Sequence, residues 1–144
     1  FVMAGNGDLL NRSIRRVAKL GIADRFHFTG FLNGSDVSKM FSYSDVYVMP
    51  SVSEPFGISP LEAMKSNVPV IISKQSGVAE VLKYAIKVDF WDIDALADSI
   101  YALLNYPAIS RMSVRCGAEE VNQLKWDKAA AKIKNVYSQV IAGK

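Results

Sequence analysis

Cysteine is almost absent. Cys116 stands alone, which excludes an intramolecular disulfide and a cysteine-based zinc site. A single thiol fits a reducing compartment, so a cytoplasmic location is the expectation. Histidine is equally scarce, with His27 the one copy. With so few metal ligands, the expectation is no metal and no resident cofactor. No apolar run approaches the roughly 20 residues that a membrane-spanning helix needs. There is no large excess of one charge either. Seventeen Lys and Arg against fourteen Asp and Glu leave a net charge of +3. The basic residues are spread along helical stretches, so nucleic acid is not expected as a partner. The chain has neither an initiator methionine nor a signal peptide. It opens at Phe1 as if inside a buried strand, and reads as a piece of a longer protein.

What is present is an ordinary globular composition. The 144 residues are 50% hydrophobic and 22% charged. That suits one domain over 1–144, with enough chain to bury a core unaided. Short apolar runs alternate with stretches of helical period. Phe1 to Ala4, Arg25 to Thr29, Asp45 to Met49, Val68 to Ser73 and Ala85 to Phe90 read as strands. Between them, helices are predicted over Leu9 to Leu20, from Ser35 to Phe41, over Pro60 to Ser66 and over Ser76 to Leu82. Gly21 stops the first helix. After the fifth strand come three helices, at Ile93 to Leu104, Ser110 to Gln123 and Lys128 to Ile141. The last carries Ala129, Ile133, Val136, Tyr137 and Val140 on one face. Its lysines Lys128, Lys132, Lys134 and Lys144 read as a solvated face, with weak attraction to an anionic membrane as the alternative. Trp91 and Trp126 read as packing residues.

Strands alternating with helices imply βαβ units and a Rossmann-like parallel sheet with helices on both faces. Ligands then bind at the carboxyl ends of the strands. The loops to inspect are 5–8, 30–35, 50–59, 74–77 and 91–92. The segment from Ser51 to Met64 is the most informative. It follows a strand end and opens a helix. Ser59 is a candidate N-cap, Pro60 the first helical residue and Glu62 the partner in a Ser-x-x-Glu capping box. Gly57 allows close backbone approach to a ligand. Glu54 and Glu62 therefore have two readings, as a surface acid and a helix cap, or as a pair of ligand-binding carboxylates.

The string Glu54-Pro55-Phe56-Gly57-Ile58-Ser59-Pro60-Leu61-Glu62 resembles the Glu-x7-Glu motif of retaining, group 1 nucleotide-sugar glycosyltransferases with the GT-B fold. The flanks agree. Asp45 to Ser51 looks like that family's preceding strand, and Ala63-Met64 with Asn67 to Ile71 like its helix and next strand. Ser76-Gly77-Val78-Ala79-Glu80 resembles a Gly-Gly-x-x-Glu start, with Ser76 replacing the first glycine. Phe28 to Phe31 and Gly5-Asn6-Gly7 match earlier loops.

The resemblance implies the C-terminal, donor-binding half of a GT-B enzyme, with extra C-terminal helices. It implies that Glu54 is the catalytic-site acid, accepting from hydroxyls of the donor sugar. Backbone amides of Phe56, Gly57 and Ile58, beside Ser59, would hold sugar and diphosphate, and Glu62 would accept from the ribose hydroxyls. Gly5 and Gly7 would lie near the nucleotide, with a plain turn as the alternative, and Phe31 near the base, with burial against Leu32 as the alternative. The implied partners are a nucleotide-sugar donor and a glycan or lipid-linked acceptor. The latter would be bound through an N-terminal domain that this stretch lacks, together with the first βα unit. That unit carries, in the family, an arginine and a lysine facing the leaving diphosphate. Lys74 is the nearest stand-in by loop position. The chain alone is expected not to transfer sugar.

The rival is a non-catalytic nucleotide- or glycan-binding module of the same fold. A phosphate-accepting receiver domain is excluded, because the strand ending at Met49 runs into Pro50-Ser51 with no aspartate.

Overall fold

The computed structural model describes residues 1–143, so the expectation for Lys144 lies outside the described residues. The chain divides into two compact units, Phe1–Met40 and a second from Phe41 onward.

The first unit is a βαβ element. Strand β1 (Val2–Ala4) leads into helix α1 (Leu10–Lys19), and strand β2 (His27–Gly30) pairs parallel with β1. Met3 faces Phe28 across the ladder, and the Gly5 N–H donates to the Gly30 carbonyl at 2.7 Å. Gly21 ends α1 as expected. It sits at φ +68°, its N–H bonds to the Ala18 carbonyl, and the Ile22 N–H reaches back to Val17. That paired closure requires a left-handed residue, which glycine adopts without a side-chain penalty.

Two expectations fail in this unit. The second strand starts at His27 rather than Arg25, because Ala23–Arg25 winds into a 3-10 turn. Strand β1 is exposed rather than buried, with Phe1, Val2 and Met3 all open to solvent. A two-stranded ribbon with one crossover helix has too little cover for both faces.

The second unit holds the core. Helix α2 (Ser35–Ser42) begins in the first unit and ends in the second, where β3 (Tyr47–Met49), α3 (Ser59–Lys65), β4 (Val70–Ser73), a 3-10 turn at Gly77–Glu80 and β5 (Ile86–Val88) follow. The sheet order is β3-β4-β5 and both pairings are parallel. The alternation of sequence thus yields parallel sheets, a two-stranded one and a three-stranded one, where a single sheet is predicted.

All four residues of β4 are buried. Successive side chains point to opposite faces, so both faces of the three-stranded sheet are covered. On one face Ile71 and Val88 pack with Leu103, Leu96 and Ile100 of α4 (Ile93–Asn105). Helix α3 lies against β3 and β4, and α5 (Pro107–Gln123) packs on α3. Gly117 of α5 faces the Met64 side chain of α3 at this contact. Helix α3 ends on Asn67 at φ +60°, with the Asn67 N–H bonded to Met64 and the Val68 N–H to Ala63. Pro69 then prevents any continuation.

Helix α4 begins where expected, with the Asp92 carboxylate accepting from the Ala95 N–H at 3.0 Å. The predicted helix at 76–82 shrinks to the single 3-10 turn. The last helix, α6 (Trp126–Ala142), is exposed along its whole length, its apolar face included. Trp126, predicted to pack, is 89% exposed, and Trp91 touches only Phe90 edge-on among the rings. No helix among the described residues is long and apolar enough to cross a membrane.

Candidate functional site

The loop after β3 is built by three sets of bonds. The Ser73 hydroxyl donates to the Ser51 carbonyl at 2.6 Å, holding the loop's first turn on the end of β4. The Gly77 N–H then donates to the Glu54 carbonyl (2.9 Å) and the Val78 N–H to the Phe56 carbonyl (2.8 Å). Residues 54–56 therefore lie along 76–78 as a short parallel ladder, with Glu54 bridged to Ser76. The Ser76 side chain is buried and donates to the Ser73 carbonyl at 2.8 Å. A glycine in place of Ser76 would lose that anchor, so the departure from Gly-Gly-x-x-Glu has a structural use.

Gly57 completes the turn at φ +89°. A Cβ there would press against Glu54 Cγ and Met49 Cε, each at 3.1 Å. The glycine is needed twice over, for its backbone conformation and for room beside Glu54.

Helix α3 starts one residue earlier than the capping-box reading predicts. Ser59 is its first helical residue and Pro60 its second. Ile58 takes the cap position, and its carbonyl accepts from the Leu61 and Glu62 N–H groups at 2.9 and 3.2 Å. No side chain caps the helix. The Ser59 hydroxyl instead shares a 2.7 Å hydrogen bond with the Tyr47 hydroxyl of β3. The capping box is therefore not formed: Ser59 lies inside the helix rather than at its cap, and its hydroxyl is bonded to Tyr47. Among the described residues, neither the Glu54 nor the Glu62 carboxylate has a hydrogen-bond partner, and the N–H groups of Phe56, Gly57, Ile58 and Ser59 have no acceptor.

Tyr47 ties these groups together. Burial pushes its phenol above the usual tyrosine range; the bond to Ser59 opposes that, and the charges of Glu54 and Glu62 add to it. Two acids eight residues apart in sequence thus flank a run of free amides in the chain. That arrangement can accept from hydroxyl groups and donate to anionic oxygens at one place.

Residues 1–123 match the family described as Glycosyl transferases group 1. The chain belongs to that family. An uncharacterized glycosyltransferase of Methanocaldococcus jannaschii is 33% identical over 142 residues, covering 95% of this chain and 36% of that protein. Sucrose-phosphate synthase from Thermosynechococcus elongatus is similar in structure, with a TM-score of 0.81 and 28% identity over 99% of this chain and 39% of that one. HepE of Anabaena, solved in complex with UDP-glucose, shares the fold at a TM-score of 0.83 with 20% identity, over 96% of this chain and 40% of its own. This group 1 glycosyltransferase chain spans 22–38% of the length of the curated relatives it matches. Its fold is that of the C-terminal half of a GT-B protein.

The other predicted site residues fall as follows. Phe56 and Ile58 expose their side chains, leaving the backbone as the part that can approach a ligand within the loop. Gly5 and Gly7, in the first unit, line a depression of about 250 Å³ formed by residues 3–7 with Leu9, Leu10 and Ser13. Phe31 follows Gly30, itself at φ +69°, and is 75% exposed, so it does not pack away as its neighbour Leu32 partly does.

Lys74, the predicted stand-in for a diphosphate-neutralising base, is paired with Asp89 at 2.8 Å. Asp89 also accepts from Gln75 at 2.9 Å. The bonds from Lys74 and Gln75 hold the Asp89 carboxyl below the usual carboxylate range. Lys74 is thus already matched by a carboxylate within the fold.

Asp92-Ile93-Asp94 has the Asp-x-Asp spacing, against the expectation that the chain holds no such pair. Asp92 is committed to capping α4, and among the described residues no three His, Cys, Asp or Glu side chains gather as a metal site. Tyr47 was missed as well. Its signal was a polar tip between Val46 and Val48, since a tyrosine in a buried strand needs a partner for its hydroxyl.

Proposed function

We propose that this chain is the donor-binding domain of a retaining glycosyltransferase. The parent protein moves a hexosyl group from a nucleoside-diphosphate sugar to a hydroxyl of a glycan, lipid or small acceptor. The observation that carries this reading is the loop after β3: among the described residues the Glu54 and Glu62 carboxylates have no hydrogen-bond partner, and the amides of residues 56–59 between them have no acceptor.

In this reading Glu54 accepts from hydroxyls of the donor sugar. The amides of Phe56, Gly57 and Ile58 hold sugar and diphosphate oxygens. Glu62 accepts from the two ribose hydroxyls, which one carboxylate can engage together. With Ser59 turned to Tyr47, Glu62 has no capping duty to divide with that role. HepE, of like fold, is seen with UDP-glucose, which supports a nucleotide-sugar as the ligand class.

Charge stabilisation of the departing diphosphate is a large part of such a transfer. Lys74 is bound to Asp89, so in this reading it is not the cation that faces the diphosphate. Sugar transfer is metal-independent in this account and takes place in the cytoplasm. Any peripheral membrane contact falls to Lys128, Lys132 and Lys134 on α6.

The test is Glu54→Ala in the full-length protein with its nucleotide-sugar. Turnover should fall by two orders of magnitude or more while the protein stays folded. Unchanged turnover would overturn the reading.

A further inference from the structure

Tyr47 reaches across twelve residues of chain to Ser59, hydroxyl to hydroxyl, at 2.7 Å. Its ring is held edge-on against Phe41, with centroids 5.5 Å apart and an interplanar angle of 75°. Ser59 and Glu62 are three apart in α3 and so lie on one face of it. Of the nine residues from Glu54 to Glu62, Ser59 alone has a side-chain proton to donate. An anionic ligand beside two carboxylates needs such donors.

We infer that Tyr47 is a positioning residue of the donor site: its phenol donates to Ser59 Oγ, leaving the serine's own proton to donate to a phosphate oxygen of a nucleoside diphosphate. The inference rests on the donor-binding reading above. A phenol is a stronger hydrogen-bond acid than an aliphatic alcohol, so the tyrosine is the better donor of the pair. Burial, with the nearby Glu54 and Glu62 charges, keeps the phenol protonated. A hydroxyl that accepts one hydrogen bond becomes a stronger donor in the next. Ser59 also gains a fixed rotamer, so less freedom is lost when the ligand arrives.

Tyr47→Phe removes the hydroxyl and keeps the ring on Phe41. Titration of the 144-residue chain with UDP, GDP and ADP by calorimetry gives the diphosphate affinity, and NMR titration gives that of the matching nucleoside. Tyr47→Phe should weaken the diphosphate by roughly three- to tenfold, the span of one net hydrogen bond, and leave the nucleoside unchanged. Ser59→Ala should do the same, and the double variant no more than either alone. Ser59→Thr, which keeps a hydroxyl, should retain most of the affinity. Unchanged diphosphate affinity in Tyr47→Phe, an equal loss for nucleoside and diphosphate, or additive losses in the double variant would each overturn the inference. Failure of the donor-binding reading would look different: no diphosphate bound by the wild-type chain, or binding indifferent to Glu62→Ala.

Discussion

Gly77 lies so close to Pro55 that a Cβ on the glycine would collide with the proline's carbonyl group and fall 3.2 Å from the Phe56 Cα. Both neighbours are backbone, so the clash cannot be relieved by turning a side chain. The contact exists because the Gly77 and Val78 N–H groups bond the Glu54 and Phe56 carbonyls. Gly77→Ala should therefore push the 54–56 segment off its ladder. We expect a stability loss of about 1–3 kcal/mol by urea denaturation, typical of overpacking. A transition midpoint equal to wild type would contradict the close approach.

Gly57→Ala makes a sharper local test. The alanine would have to adopt φ +89° and press on Glu54 and Met49 at 3.1 Å. Strained backbone of this kind costs on the order of 1–3 kcal/mol. The disturbance is centred on Glu54, so nucleotide-sugar affinity should fall further than diphosphate affinity. Equal losses for the two ligands would place the disturbance elsewhere.

Glu120 of α5 accepts from the Lys83 N–H at 2.8 Å and from the Tyr84 N–H at 3.2 Å. It fixes the approach to β5 from outside the sheet. Glu120→Ala should cost about 1 kcal/mol, the net value of such bonds at a partly exposed site. Amide hydrogen exchange at Lys83 and Tyr84 should accelerate, while exchange in β4 stays slow. Unchanged exchange at those two amides would remove this clamp from the account.

Asp89 gives the pH dependence. Its folded pKa is lowered by the bonds from Lys74 and Gln75. A depressed carboxyl stabilises the fold above its unfolded value, about 3.9, and that contribution disappears as pH falls through the folded value. Asp89→Asn should thus flatten the acid limb of the stability curve below about pH 4 and change its slope little near pH 7. An acid limb as steep as wild type would show that the Lys74–Asp89 pair contributes nothing measurable.

The alternation of strand and helix was legible because each β-run is short, apolar and bounded by turn residues. The end of α1 at Gly21 and the start of α4 at Ile93 were legible for the same local reason, since the chemistry that ends or starts a helix lies within one turn of it. Ser59 was misread because its partner is not local. The capping box is a valid pattern, but the helix starts one residue early, and the Ser59 hydroxyl is bonded to Tyr47, twelve residues upstream. Strand β1 and Trp126 were misread for another reason. Apolar side chains predict burial only where other elements supply a surface, and among the described residues both lie largely open to solvent. The positions of Glu54 and Glu62 were visible in sequence through the resemblance of their whole string to the Glu-x7-Glu motif. The ladder between residues 54–56 and 76–78 that shapes their loop was not, because it leaves no periodic trace.

The central claim is that Glu62 binds the nucleotide of the donor. Calorimetric titration of the wild-type chain and Glu62→Ala with UDP, GDP and ADP tests it most directly. The account predicts that one diphosphate binds selectively and that Glu62→Ala weakens it by roughly tenfold or more, the loss of a charge-assisted pair of hydrogen bonds. Equal affinity in the two proteins, with both folded, would contradict it.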